Sequence, residues 1–231
     1  MKEKPDCYFC GQPSESKDHI PSKNLFEKPY TSNLLTIYAC KKCNNSFSID
    51  EEYFLNVLVT LSENPKLRAR TEPGGSIYKS RERSKKLYNR LLNSFLQGED
   101  GRTYFRPEGK RIKKVIEKNA FGLYCLKYGK IPSLKSFNCV GFYPYNAENK
   151  IPLEILTLTH SEKFKPKKWT HIQVDVFSYI VVRDWRRNNK LTMIFQIHNT
   201  AWFVIEIPFP TSDKWTKRKI EKQYRLFKNN C

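Results

Sequence analysis

The sequence predicts an α+β protein: a zinc-stapled N-terminal module, a basic helical segment, and a basic α+β domain built on an antiparallel sheet. Three observations predict it. Four cysteines form two Cys-x-x-Cys pairs, Cys7/Cys10 and Cys40/Cys43. Apolar residues repeat at helical spacing across 108–128. From residue 137 onward, runs rich in Val, Ile, Phe, Tyr and Thr are separated by turn residues. The corresponding boundaries are 1–64 for the module, 65–107 for the basic segment and 108–231 for the second domain, whose end reads as a basic helix or arm.

The 231 residues include 39% hydrophobic and 14% aromatic side chains, enough for a packed core, which excludes wholesale disorder. No apolar run reaches the roughly 18 residues of a membrane span, and MKEKPDCYFC contains no apolar signal region. The expectation is a soluble, cytoplasmic protein with no membrane partner. A formal charge of +19 favours a polyanionic partner. Residues 1–50 carry seven Lys against six acids, so nearly all the excess lies beyond them. A solvated surface is the plainer reading of that charge, but its segregation points to two parts with different roles.

Seven cysteines, an odd number, argue against a disulfide framework. Two knuckles supply four thiolates, the ligand set of a closed tetrahedral zinc site at Cys7, Cys10, Cys40 and Cys43. Unrelated thiol pairs or a redox motif are the alternatives, and a redox motif would need one pair rather than two. Cys125, Cys139 and Cys231 have no partner spacing.

Between the knuckles lie Asp18-His19-Ile20-Pro21 and Asn33-Leu34-Leu35-Thr36-Ile37-Tyr38, and Asn44-Asn45 follows Cys43 directly. Together they make chemical sense as a one-metal phosphodiester site. A neutral histidine can take a proton from water near pH 7. A carboxylate and an amide oxygen offer hard ligands to Mg²⁺ or Mn²⁺, and the ion stabilises charge on the scissile phosphate. Taken singly, His19 reads as a turn or core residue, Asp18 as a strand-end cap, and Asn33 and Asn44 as turn and helix-cap residues. Only their joint placement inside the four-cysteine frame makes the pattern specific.

That constellation resembles the HNH endonuclease family, whose fold is a zinc-bound ββα-metal module. The resemblance covers about the first 60 residues. It implies His19 as general base, Asp18 and Asn44 as ligands of a catalytic Mg²⁺ or Mn²⁺, and Asn33 as an orienting residue. It also implies DNA as substrate, with RNA not excluded. The third motif position carries Asn44 where histidine is more familiar, and the lysine that often follows is replaced by Phe47-Ser48.

Further along, Asp50-Glu51-Glu52 could cap a helix that carries Tyr53, Phe54, Val57, Leu58 and Leu61 at helical spacing. Pro65 and Pro73-Gly74-Gly75 then punctuate the chain. Residues 79–97 read as a basic helix in which Arg81, Arg83, Lys85, Lys86 and Arg90 lie along phosphates, or as a solvated face. In 108–128, Ile112, Val115, Ile116, Asn119 and Leu123 form the core stripe. Lys110, Arg111, Lys113, Lys114 and Lys118 form an opposite basic face. Strands are expected in FNCVGFYPY, PLEILTL, THIQVDVFSYIVVRDW, LTMIFQIHN and AWFVIEI, with a hairpin turn at Arg186–Asn189. His160, His171 and His198 read as structural, and Trp169, Trp185 and Trp202 as core or sheet-face residues.

The sequence thus points to a metal-dependent endonuclease. Two competitors remain: a non-catalytic zinc module that binds nucleic acid, and a nuclease effector activated by a protein partner in a bacterial defence, toxin or mobile-element system.

Overall fold

The computed structural model describes residues 5–129, 137–144, 155, 168–184 and 190–208. It begins with a hairpin of β1 (Ser16–His19) and β2 (Thr36–Ala39), antiparallel, with Asp18 opposite Ile37 and His19 opposite Thr36. A short helix α1 (Lys41–Asn45) follows at once. The longer α2 (Ser48–Leu61) buries Tyr53, Phe54, Val57 and Leu58, the stripe expected from helical spacing.

The acids at the start of α2 do more than oppose its dipole. Asp50 bonds Arg111 and Lys114, Glu51 bonds Lys118, and Glu52 bonds Arg83 and Ser80. They clamp α2 to the helices beside it. After α3 (Pro65–Arg68), the basic segment forms α4 (Ser76–Arg83) and α5 (Lys85–Leu92) rather than one helix over 79–97. Ser84 makes the break. Its backbone leaves the helical region at φ −123° and its hydroxyl accepts from the Leu87 amide, capping α5. Residues 95–105, partly assigned to that helix by sequence, instead form a hairpin of β3 (Phe95–Gln97) and β4 (Thr103–Phe105).

The central element is α6 (Gly109–Tyr128), which packs against α2 on one side and the large sheet on the other. That sheet comprises β5 (Asn138–Pro144), β6 (Thr170–Gln173), β7 (Phe177–Asp184), β8 (Lys190–Ile197) and β9 (Ala201–Pro208). Its order is β5-β9-β8-β7-β6, every pair antiparallel. One stretch expected as a single strand divides at Val174–Val176, where Asp175 adopts φ +63° and turns the chain. A single apolar cluster runs from Cys7 and Ile20 through Tyr53, Phe54 and Ile116 to Phe195 and Phe203. The helices therefore share one core with the hairpin and one face of the sheet. The other sheet face has a smaller cluster around Ile180, Ile194 and Trp202, with Trp169 packed against it. Among the described residues, no helix is long and apolar enough to cross a membrane. The strand expected over 152–158 (Ile155 apart), the turn at Arg186–Asn189, His160, Trp185 and the basic C-terminal segment lie outside the described residues.

Candidate active site

The two knuckles are shaped by backbone hydrogen bonds before any metal is considered. The Gly11 amide donates to the Cys7 carbonyl (2.9 Å) and the Cys7 amide to the Gln12 carbonyl (2.7 Å). Gly11 sits at φ +73°, a left-handed conformation that glycine adopts without strain. The Tyr8 amide donates to the Tyr38 carbonyl, joining this turn to β2. Cys40 caps α1, and its sulfur accepts from the Cys43 amide.

These turns bring Cys7, Cys10, Cys40 and Cys43 together, with all four Sγ atoms within 4.8 Å of one another and Cys10 to Cys40 at 3.7 Å. Tetrahedral zinc with Zn–S near 2.3 Å needs sulfurs about 3.8 Å apart. The cluster fits that ion. Burial raises the Cys7 thiol, but the amides of Cys40, Cys10 and Phe9 outweigh it and bring its pKa down to about 7. Cys43 is pushed strongly upward by burial and by its neighbouring thiols. Among the described residues, no other group of three or more His, Cys, Asp or Glu side chains gathers in this way.

His19 ends β1 and is half-buried. Burial lowers its pKa, helped by Lys23 and Lys118 and opposed by Asp18. The ring is therefore neutral at pH 7, with a lone pair available. Asn44, on α1, donates its amide to Ser16 Oγ (3.1 Å) and to the Lys17 carbonyl (3.4 Å), which seats the helix on β1. Asn33 is exposed in the turn before β2; its backbone N–H donates to Thr31 Oγ1, and no hydrogen bond joins it to His19.

Asp18 has the opposite environment to His19, as the alternation of a strand requires. It is 4% exposed, accepts from Tyr8 Oη (3.0 Å), and is paired with Lys118 Nζ at 2.9 Å. Lys118 is 0% exposed and also bonds Glu51 at 2.6 Å. A divalent ion shared by Asp18 and Asn44 does not fit these donors, because both Asp18 oxygens are engaged and an ammonium already sits against them.

Lys118 also corrects the sequence reading, which placed it on an exposed basic face. It lies three residues after Val115 and four before Gly122, on the buried side of α6. Spacing alone carried that signal. Gly122 is required there: a Cβ would come within 2.7 Å of the Ile20 side chain. Tyr8 and Glu51, which complete the Asp18 environment, carry no motif.

Most of the predicted phosphate-binding cations have protein partners. Arg81 donates to Asn56, Arg83 pairs with Glu52, Arg90 with Glu108, and Arg111 with Glu108 and Asp50. Lys113 donates to Asn138 and Lys114 pairs with Asp50. Lys85, Lys86 and Lys110 are exposed and pair with no acid among the described residues.

No protein-family model matches the chain, no curated protein is significantly similar in sequence, and no solved structure significantly resembles its fold.

Proposed function

We propose that the chain is an endonuclease of the HNH type acting on DNA, with His19 as general base on a zinc-stapled β-hairpin–helix scaffold. The observation that carries this reading is the half-buried, neutral imidazole at the end of β1, on the same hairpin that leads into a cysteine cluster of zinc dimensions and a helix seated by Asn44. Structural zinc would bind Cys7, Cys10, Cys40 and Cys43 and fix β2 and α1 against the first knuckle. His19 takes a proton from water, whose oxygen attacks phosphorus as the bond to the leaving oxygen breaks. Lys23 lies close enough to bias the imidazole, and its positive charge favours a phosphate at the same place. No step is assigned to a divalent ion at Asp18.

The test is cleavage of supercoiled plasmid by zinc-loaded protein, with Mg²⁺, with Mn²⁺ and with neither, beside His19→Ala of equal zinc content. Cutting by the wild type and at least a hundredfold loss in the variant is the expected result. Equal cutting by both would refute the assignment of His19.

A second reading is favoured by the Asp18–Lys118 pair: a non-catalytic zinc module that binds nucleic acid. It predicts no cutting in any condition, with binding unaffected by His19→Ala.

A further inference from the structure

Exposed apolar side chains are concentrated in one place. Nine large hydrophobic residues are exposed among the described residues, and Tyr88, Leu92, Phe95, Leu96 and Tyr104 are five of them, at 41–50% exposure. All five belong to α5 and the β3–β4 hairpin. A two-stranded hairpin is marginal by itself. This one is anchored by the Arg106 amide donating to the Ser94 carbonyl (2.7 Å) and by Phe105, which packs on the core and against Phe95 at 4.8 Å. Leu96 and Tyr104 face each other across the strands on the other side and are about half exposed, with the Tyr104 hydroxyl donating to Asp100 Oδ2 at 2.6 Å.

The helix separates two grooves of different chemistry. On one side Tyr88, Leu92 and Phe95, spaced four and three apart, line a groove of about 320 Å³ that also takes in Arg68 and Arg81. On the other side Lys86, Asn89, Arg90, Asn93 and Arg106 line an open groove of about 810 Å³, together with Glu108, which pairs with Arg90. Residues 76–106 hold eight Lys and Arg against three acids. Arg83, Arg90 and Arg102 pair with Glu52, Glu108 and Asp100, whereas Lys85, Lys86 and Arg106 pair with no acid among the described residues, so the cationic field is only partly neutralised internally.

A strand laid across α5 would meet an aromatic face on one side and unpaired cations on the other, and these match the two parts of an unpaired nucleotide, a flat base and a phosphate. A duplex hides its base faces, so its phosphates would engage the cations and leave the rings in water. An acidic protein would satisfy the charge but gain nothing particular from ring faces. We propose that α5 and the β3–β4 hairpin form a binding surface for single-stranded nucleic acid, with bases stacked on Tyr88 and Tyr104 and phosphates held by Lys86 and Arg106. This rests on the nucleic-acid reading above and specifies which form of nucleic acid the chain grips outside the His19 site.

The experiment measures binding, not cleavage, so it stands apart from the nuclease assignment. Fluorescence anisotropy with a labelled 20-nucleotide oligothymidine, and with a mixed-sequence 20-base-pair duplex, is run on zinc-loaded His19→Ala protein without added divalent ion. The expected result is tighter binding of the single strand, weakened roughly 5- to 150-fold by Tyr88→Ala and again by Tyr104→Ala. Duplex binding should change less than twofold in those variants. Lys86→Ala should make the dependence of log K on log salt shallower by about 0.7. Tyr88 is exposed, so a circular dichroism melt unchanged from the parent is expected for Tyr88→Ala, and an unchanged far-UV spectrum is the control for Tyr104→Ala, which also gives up a hydrogen bond to Asp100. Equal loss on both probes, or no loss on either, would overturn the proposal. So would concentration-dependent self-association abolished by Tyr88→Ala, which would make the patch a contact between copies of the chain.

Discussion

Replacing Lys118 by methionine isolates the buried ion triad. Methionine keeps most of the length and apolar volume of the stem but removes the ammonium, leaving Asp18 and Glu51 without their shared counter-charge. Lys118 is fully buried, with partners at 2.9 and 2.6 Å, and its ammonium also lies 5.4 Å from the Phe47 ring centroid. Removing one partner of a buried pair costs about 3–5 kcal/mol, since the remaining charge stays desolvated and uncompensated. For a chain of this size each kcal/mol moves the melting temperature by about 2–4 °C, so Lys118→Met should melt about 6–20 °C below wild type. Thermal and urea unfolding followed by circular dichroism measure it. Adding Asp18→Asn to the variant should return part of the loss, giving a coupling energy above about 1 kcal/mol in the double-mutant cycle. The variant also vacates the cation position at Asp18. Millimolar Mg²⁺ should raise its melting temperature while leaving that of zinc-loaded wild type unchanged. A Lys118→Met melt within about 2 °C of wild type would refute the reasoning, because it would mean that Asp18 and Glu51 reach water once the lysine is gone.

Three other outcomes follow from the same geometry. Gly122→Ala drives a Cβ to within 2.7 Å of Ile20 Cδ1 and Cγ1, and should destabilise the protein by about 1–3 kcal/mol in urea melts through overpacking behind His19. Cys40→Ser should abolish stoichiometric zinc, measured by inductively coupled plasma mass spectrometry, and lower the melting temperature; retention of one zinc per chain would exclude Cys40 as a ligand. His198 provides the pH test. Burial, joined by Arg70 and opposed by the bond from its Nε2 to the Leu25 carbonyl, lowers its pKa to about 4, while Nδ1 has no partner among the described residues. The unfolded chain binds this proton near pH 6.5 and the folded one only near 4. The stabilisation is therefore complete above pH 6.5 and lost as pH falls toward 4, by about 3 kcal/mol. His198→Asn, tolerated at φ +51°, should remove that share of the acid sensitivity in urea melts at pH 7 and 4.5.

The four-cysteine cluster was legible from spacing alone, since two Cys-x-x-Cys turns converge most readily around one site that could hold a tetrahedral ion. The strands of the large sheet, apart from the break at Val174–Val176, and helix 109–128 were legible from side-chain period, which the backbone geometry of each element dictates. The break at Ser84 was harder to see: a capping serine inside a basic, helix-favouring run competes with its neighbours by a single hydrogen bond. Nor could composition reveal that Arg83, Arg90, Arg111 and Lys114 spend their charge on Glu52, Glu108 and Asp50, because each pair joins residues from different elements. His19 and Asp18 illustrate the division most clearly. Their adjacency in sequence makes them look like one catalytic unit. Strand alternation gives them different surroundings, and only the tertiary packing of α6 decides that the carboxylate meets a buried lysine 100 residues away while the imidazole stays within reach of water. The sequence by itself determined which chemistry was present and which elements carried it. The fold decided which of those groups remained available, because desolvation and pairing depend on neighbours that local pattern does not specify.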